Sequence, residues 1–278
     1  QNLGGCDLRT INQDDFVLIY FEDDTTLLIK ADGNKSSCHK GSIDTASFIG
    51  QEYGYTGESN KGARFIVARP TYDEYIFKLK RASQIAYPKD LGYVILNLGI
   101  KPGDTILEAG CGSGGATGIF SKIVGSEGKV FSYEKRQDFI DLARTNLMKF
   151  SQYDNVIFKN RDIKDGIDET NFDSVFLDLP NPQDYMDIVY GAMGNSSMLG
   201  VLVPTTNQVS EILLAMRNFE FKKIDVWETF IRRYKTNPYR LRPSDIMVGH
   251  TAFLIFARKT LGLGKTKLEG EEYYEQEN

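Results

Sequence analysis

The 278 residues include only three cysteines and two histidines. Cys6, Cys38 and Cys111 form no C-x-x-C pair and the histidines stand far apart, which leaves no zinc-ligand pattern to read. Sparse, irregularly placed cysteine also points to an intracellular, cytoplasmic protein rather than a disulfide scaffold. No apolar run approaches the roughly 18 residues that span a bilayer, and no signal peptide is recognisable at the start, so no membrane is expected among the partners. Positive charge is scarce as well: 33 Lys and Arg face 38 Asp and Glu, a net charge of −5. That balance counts against a phosphate-binding surface over the whole chain, though not against a local basic cluster. The composition, 41% hydrophobic and 26% charged, is that of a globular protein with material for a core.

Residues 1–70 read as a small antiparallel β domain. Short β-rich runs at 16–21, 25–30 and 63–68 are separated by turn signals at Asp32, Gly33 and Asn34 and again at 58–62. Residues 71–88 are expected to be a linker with a helix-like stretch from Tyr72 to Arg81. From Lys89 to about 260 the pattern alternates. Helices are expected at 90–98, 115–124, 136–150, 184–193 and 207–218, and strands at 104–108, 129–134, 155–159, 173–178 and 198–203. Such alternation implies a parallel, doubly wound α/β sheet with ligands at the carboxyl ends of its strands. Two final strands, 221–231 and 251–258, follow without a helix between them and should pair antiparallel. From Leu261 to Asn278 the chain is polar, turns acidic and is expected to be a disordered tail.

The stretch from Asp104 to Thr117 carries the most chemistry. A short apolar strand runs into closely spaced glycines and then a helix start, where backbone N–H groups and the helix dipole favour an anionic group. An acid, Glu134, ends the next strand about 20 residues on, at ribose-binding spacing. Gly110, Gly112 and Gly115 fit a dinucleotide fingerprint; Glu108, Gly110, Gly112 and Gly114 fit equally the E-x-G-x-G-x-G of S-adenosyl-L-methionine (SAM) methyltransferases. The antiparallel ending favours the second. Under it, Glu108, Gly110, Gly112, Ser113, Gly114 and Gly115 form the cofactor loop, Glu134 accepts from the ribose hydroxyls, and Arg161 and Asp162 lie at the adenine.

Asp178 should emerge at the carboxyl end of its strand, beside the cofactor, able to accept from an amino group and to stabilise positive charge. Pro180 and Pro182 stiffen the loop behind it and leave carbonyls to face a ligand. Arg232, Arg233, Lys235, Arg240 and Arg242, interleaved with Tyr234 and Tyr239, form a basic cluster of the kind that places Arg on phosphate and Tyr on bases. Lys78, Lys80, Arg81 and Lys89 are candidates to extend it.

These segments together resemble the tRNA adenine-N1 methyltransferases that act on the T-loop. Residues 81–90 look like the family's R-x-x-Q-I-x-Y-P-K-D, and 108–114 like its E-A-G-T-G-S-G with Cys111 for Thr. Residues 178–182 match D-x-P-x-P, and Arg242, Pro243, Met247, Gly249, His250 and Thr251 match R-P…M-x-G-H-T. In the small domain, 39–43 and 48–50 are similar to the family's H-x-G-x-I and I-G. The likeness covers roughly 12–259. One position departs from it: Gln183 stands where the family has Trp.

The resemblance implies a seven-stranded Rossmann-like SAM-methyltransferase fold with a small N-terminal β domain. It also implies methylation of N1 of adenine 58, with 57 as a further target in archaeal members. Asp178 would contact the flipped-out base, Tyr87 would wall or orient it, and Arg232, Arg233, Arg240, Arg242 and His250 would meet the tRNA. Family members are typically tetramers whose RNA site spans subunits, so the resemblance implies a homotetramer, which would explain how an acidic chain presents basic grooves. Three other readings compete. An NAD-dependent oxidoreductase needs an acid–base residue poised for hydride transfer, which the 178–182 loop does not offer. A non-catalytic tRNA-binding subunit would have lost the glycine loop and the Asp motif, both intact here. A methyltransferase of another substrate is disfavoured by the small β domain and the basic cluster.

Overall fold

Strand-forming runs come first in the chain: β1 (Phe16–Phe21), β2 (Thr26–Lys30), β3 (Lys35–Cys38), β4 (Gly41–Asp44), β5 (Thr56–Glu58) and β6 (Arg64–Ala68). The computed structural model describes residues 10–82, 84–150 and 153–269, so Cys6 and the end of the acidic tail lie outside the described residues. Contacts divide the chain into two compact units, Gln1–Lys80 with Thr145–Gln152 and Arg81–Arg144 with Tyr153–Asn278.

In the first unit β2, β1, β6 and β5 form an antiparallel sheet in that order, and β3 and β4 a separate hairpin. Alternation selects the buried face: in β6, Phe65 and Val67 point into a core that holds Ile19, Ile43 and Phe48. A helix follows, α1 (Tyr72–Phe77), opened by a capping box between Thr71 and Glu74. It ends four residues before the expected Arg81. The Lys80 N–H and carbonyl are taken instead by the side chain of buried Asn146, at 3.1 and 2.9 Å, so the backbone there has partners outside a helix.

The second unit runs α2 (Pro88–Leu98), β7 (Thr105–Ala109), α3 (Gly115–Val124), β8 (Lys129–Glu134), α4 (Gln137–Leu147), β9 (Val156–Asn160), β10 (Phe172–Leu177), α5 (Met186–Ala192), β11 (Met193–Val203), α6 (Thr206–Met216), β12 (Phe221–Glu228), the two-residue strands β13 (Tyr234–Lys235) and β14 (Arg242–Pro243), and β15 (Phe253–Lys259). Seven strands make one sheet in the order β12-β15-β11-β10-β7-β8-β9. β15 is antiparallel to both β11 and β12, and the other pairings are parallel. The expected seven-stranded Rossmann-like sheet with its antiparallel ending is therefore present.

Helices on both faces explain why β10 and the second half of β11 are almost unbroken apolar runs. Phe176 packs edge-to-face on Phe120 of α3, ring centroids 5.5 Å apart, while Leu177, one residue on and therefore on the opposite face of β10, joins a buried layer with Leu199, Val201 and Ile255. In the segment from Leu261, expected to be disordered, the described residues are mostly exposed but one of them is anchored. Thr266 is buried, its N–H donates to the Phe219 carbonyl at 2.8 Å, and its hydroxyl accepts from the Phe221 N–H at 2.9 Å. One well-placed threonine outweighs a polar composition there.

Candidate active site

β7 and β10 are neighbours, yet the chain leaves them in opposite directions, to β8 on one side and β11 on the other. The crevice at their carboxyl ends is the topological switch point of the sheet. Two loops meet there. The Asp178 N–H donates to the Ala109 carbonyl at 2.9 Å, and the Gly110 N–H to the Tyr133 carbonyl at 2.9 Å. Gly110 has φ +91°, and a Cβ built on it would lie 2.2 Å from the Asp178 carbonyl oxygen. Only glycine satisfies both the conformation and the approach. Gly114, at φ +81°, caps α3 in the left-handed region.

A cavity of about 620 Å³ opens at this point. Of the residues singled out from sequence it is lined by Gly110, Gly112, Glu134, Arg161, Asp162 and Asp178. One oxygen of Glu134 accepts from the Arg136 N–H at 2.9 Å; the other makes no hydrogen bond to a described residue. Asp162 caps a 3-10 turn, accepting from the Lys164 N–H at 3.0 Å. Arg161 is held by Asp168 at 2.7 Å and lies over the Tyr133 ring. Asp178 has no hydrogen-bond partner for its carboxylate among the described residues. Burial, and then the negative charge of Glu134, push it up to about 7.

The other predicted cofactor residues sit behind the loop. Glu108 is fully buried in the sheet, where one oxygen accepts from Thr117 of α3 and Ser132 of β8, both at 2.6 Å. Its second oxygen has no partner among the described residues. Burial pushes Glu108 up to about 7 against the pull of those two hydroxyls, and the charges of Asp178 and Glu134 add to the rise. The group thus ties β7 to α3 and β8 rather than lining the cavity. Ser113 is buried and accepts from the Ala82 N–H at 3.4 Å, and Gly114 and Gly115 are buried under the start of α3. Tyr87 caps α2 and lines a second, smaller cavity of about 340 Å³ with Arg81, Ala82, Gln84 and Ile85. Gln84 lines both cavities.

Because β11 and β12 are both antiparallel to β15, they run the same way. The carboxyl end of β12 therefore lies on the edge of the sheet where the cavity opens. From it the chain makes a long excursion before returning as β15, and the basic cluster is on this excursion. Arg232, Arg233, Arg240 and Arg242 are exposed there, with Tyr234 half-exposed and Tyr239 almost fully so. Lys235 is paired with Asp245 at 2.5 Å.

Three expectations are corrected. Lys89 does not extend the basic patch, since its ammonium is buried against Asp90, Thr229 and Thr251. His250 does not present a free ring: Nδ1 lies 2.6 Å from Glu228 and Nε2 2.7 Å from the Pro204 carbonyl. With acceptors at both nitrogens its pKa is raised, by Glu228 first and the carbonyl second. The Pro180 carbonyl is not left for a ligand either, since it accepts from Gln208 of α6 at 2.6 Å. Gln183, in the place of the resembled Trp, donates to Glu211 of the same helix at 2.8 Å.

Lys135, Arg136, Tyr185 and Gln208 were not singled out from sequence, and Gln84 and Tyr133 stood within quoted motifs without a site role, yet all of them line the larger cavity. Lys135 and Arg136 directly follow Glu134, so adjacency alone could have found them. Gln208, far along the chain, carried no signal.

A family model described as the tRNA methyltransferase complex GCD14 subunit matches residues 64–246. The tRNA (adenine(57)-N(1)/adenine(58)-N(1))-methyltransferase TrmI of Methanocaldococcus jannaschii is 30% identical over 83% of this chain and 90% of its own length. Among solved structures, a SAM-dependent O-methyltransferase from Thermotoga maritima superposes with a TM-score of 0.83 at 37% identity, covering 97% of this chain and 100% of that one. The tRNA (m1A58) methyltransferase TrmI from Aquifex aeolicus gives 0.75 at 34% identity, covering 93% and 100%.

Proposed function

Because the chain belongs to the tRNA methyltransferase complex GCD14 family, we propose that it transfers a methyl group from S-adenosyl-L-methionine to N1 of adenine 58 in the tRNA T-loop. Adenine 57 is the second candidate, as in the name of the Methanocaldococcus relative. The observation that carries the reading is Asp178: an unpartnered carboxylate at the switch-point cavity, on a loop in backbone contact with the glycine loop.

The residues present fit the cofactor. The cavity has the size of a small-molecule site. Glu134 has a free oxygen for ribose hydroxyls, and Asp162, in the same cavity lining, would accept from the exocyclic amine. Gly110 and Gly112 bring bare backbone to the cavity wall, and the acids around it favour a cation. When bound, the cofactor supplies a methyl group on a sulfonium, open to in-line attack by the lone pair of adenine N1.

Adenine N1 has no proton to lose before attack, so this chain needs no general base at that atom. Its task is to position the base and to balance charge. Asp178, as a carboxylate, accepts from the N6 amino group and favours the positive charge of the methylated ring. Tyr87, in the adjoining cavity, walls or orients the base. Arg232, Arg233, Arg240 and Arg242 meet the tRNA backbone on the same edge of the sheet. Glu108 acts through the loop it braces.

A homotetramer fits the apolar surface left open on the second unit. β12 is an edge strand, and Trp227, Phe230, Ile231, Ile246 and Val248, on it and on the excursion, are half-exposed or more. The working location is the cytoplasm, where tRNA is modified; among the described residues no helix is long and apolar enough to cross a membrane.

Incubation with labelled S-adenosyl-L-methionine and unmodified tRNA, followed by nucleoside analysis, tests the proposal. 1-Methyladenosine is the expected product, and its absence would sink the reading. A second reading, an oxygen acceptor, draws on the description of the Thermotoga neighbour. It would need Asp178 as the base that takes the hydroxyl proton, and an O-methylated nucleoside in the same digest would reveal it.

A further inference from the structure

Four side chains that the proposed reaction does not use form a closed polar cluster at the start of α2. The Lys89 ammonium donates to Asp90 at 2.8 Å, to the Thr229 hydroxyl at 3.0 Å and carbonyl at 2.9 Å, and to the Thr251 hydroxyl at 2.5 Å. Both hydroxyls then donate onward to Asp90, Thr229 to one oxygen at 2.5 Å and Thr251 to the other at 2.8 Å. The two charged side chains are 9% and 1% exposed. A buried ion pair with every polar group satisfied contributes little net stability over an apolar packing, but it defines geometry strictly.

That geometry lies in what the cluster joins. Thr229 is the first residue after β12 and Thr251 comes just before β15, so both roots of the basic excursion are tied to one ion pair. Glu228, the last residue of β12, and His250, the residue before Thr251, make a second tie at 2.6 Å. Within the excursion the ladder of β13 and β14 is two residues long, supported by the Lys235–Asp245 pair and by the Ser244 N–H on the Arg233 carbonyl, and a ladder that short does not hold an orientation alone. At the other end of the cluster, Lys89 and Asp90 follow Tyr87 and Pro88 in the first turn of α2. One buried knot thus holds the residue next to the target base and the loop that carries the arginines.

We infer that Lys89, Asp90, Thr229 and Thr251 are positioning residues that set the register between the base-facing side chains and the tRNA-backbone contacts. The inference rests on the proposed function, because it takes the excursion to meet tRNA. Its weak point is the single hydroxyl of Thr251, which Thr251→Val removes at nearly constant shape.

The test is steady-state kinetics with a tRNA transcript, alongside calorimetric titration with S-adenosyl-L-methionine. Thr251→Val should raise KM for tRNA by about tenfold, with kcat within about twofold of wild type and cofactor affinity unchanged. Thr229→Val should give the same split, and Thr251→Ser, which keeps the hydroxyl, should restore wild-type KM. A Thr251→Val protein with a lowered melting temperature and an unmoved KM would overturn the inference, as would equal losses in kcat, KM and cofactor affinity. A wild-type protein that forms no 1-methyladenosine would instead overturn the parent reading, and this one with it.

Discussion

The cavity at the switch point and the excursion beyond β12 lie on the same edge of one sheet and are built in opposite ways. The cavity is made of strand ends and tight loops whose backbones touch. Two desolvated acids mark it, Asp178 in its lining and Glu108 behind the glycine loop, both pushed up to about 7. The excursion is irregular and exposed, and its arginines lie in water. In the first region position does the chemistry, and one methyl group too many is a fault. In the second, charge and aromatic surface suffice, provided the roots are held. A site of the first kind should fail sharply on substitution, and one of the second kind by degrees.

The largest expected effect is at Asp178. Replacing it with Ala should lower kcat by about 10²–10³-fold, the usual loss for a group aimed at developing charge, while cofactor affinity in a direct titration stays within a few-fold. If cofactor affinity fell as far as turnover, Asp178 would belong to the cofactor and not to the base. Next comes Gly110→Ala, which puts a Cβ into the Asp178 carbonyl at a positive φ. It should cost about 1–3 kcal/mol in denaturant melts and displace both loops, so that cofactor binding and turnover drop together. A variant with wild-type values would mean that the two loops are not in register.

Acidity offers a milder way to separate the regions. Asp178 must be ionised to accept from an amino group, and below about 7 it is protonated. The value of kcat/KM for cofactor should therefore fall about tenfold per pH unit below that point, and the limb should vanish in Asp178→Asn. A bound cation favours the carboxylate, so kcat should show the same limb at lower pH. The smallest effects are expected on the excursion. Arg232, Arg233, Arg240 and Arg242, changed singly to Ala, should each weaken tRNA binding a few-fold and flatten its logarithmic salt dependence by about one, with cofactor affinity untouched. A single arginine whose loss abolished turnover would erase the distinction drawn between the regions.

The same contrast explains what could be read beforehand. Gly110, Glu134 and Asp178 were legible because each requirement is local: a tight turn, a strand end, a loop stiffened by proline. The parallel doubly wound sheet and its antiparallel ending followed from alternation and from one missing helix, whereas the order of the strands did not. Glu108 was misplaced because the glycine pattern shows adjacency to the loop, whereas Thr117 and Ser132, which claim its carboxylate, lie on other elements. Lys89 looked like one more positive charge until Thr229 and Thr251 closed over it from far along the chain. His250 and Thr266 were lost for the same reason. Composition marks a residue as polar, and only the fold decides whether water or a partner receives it.

The reversed strand β15 has a consequence for how such a protein can change. A parallel last strand would need a crossover on the far side of the sheet, and lengthening it would disturb the packing beneath. A hairpin instead leaves and re-enters through one narrow neck. Everything beyond that neck can be rewritten, in length or in composition, without re-threading a strand. The fold therefore lets the segment between Thr229 and Thr251 change length without moving the strand ends that form the cavity.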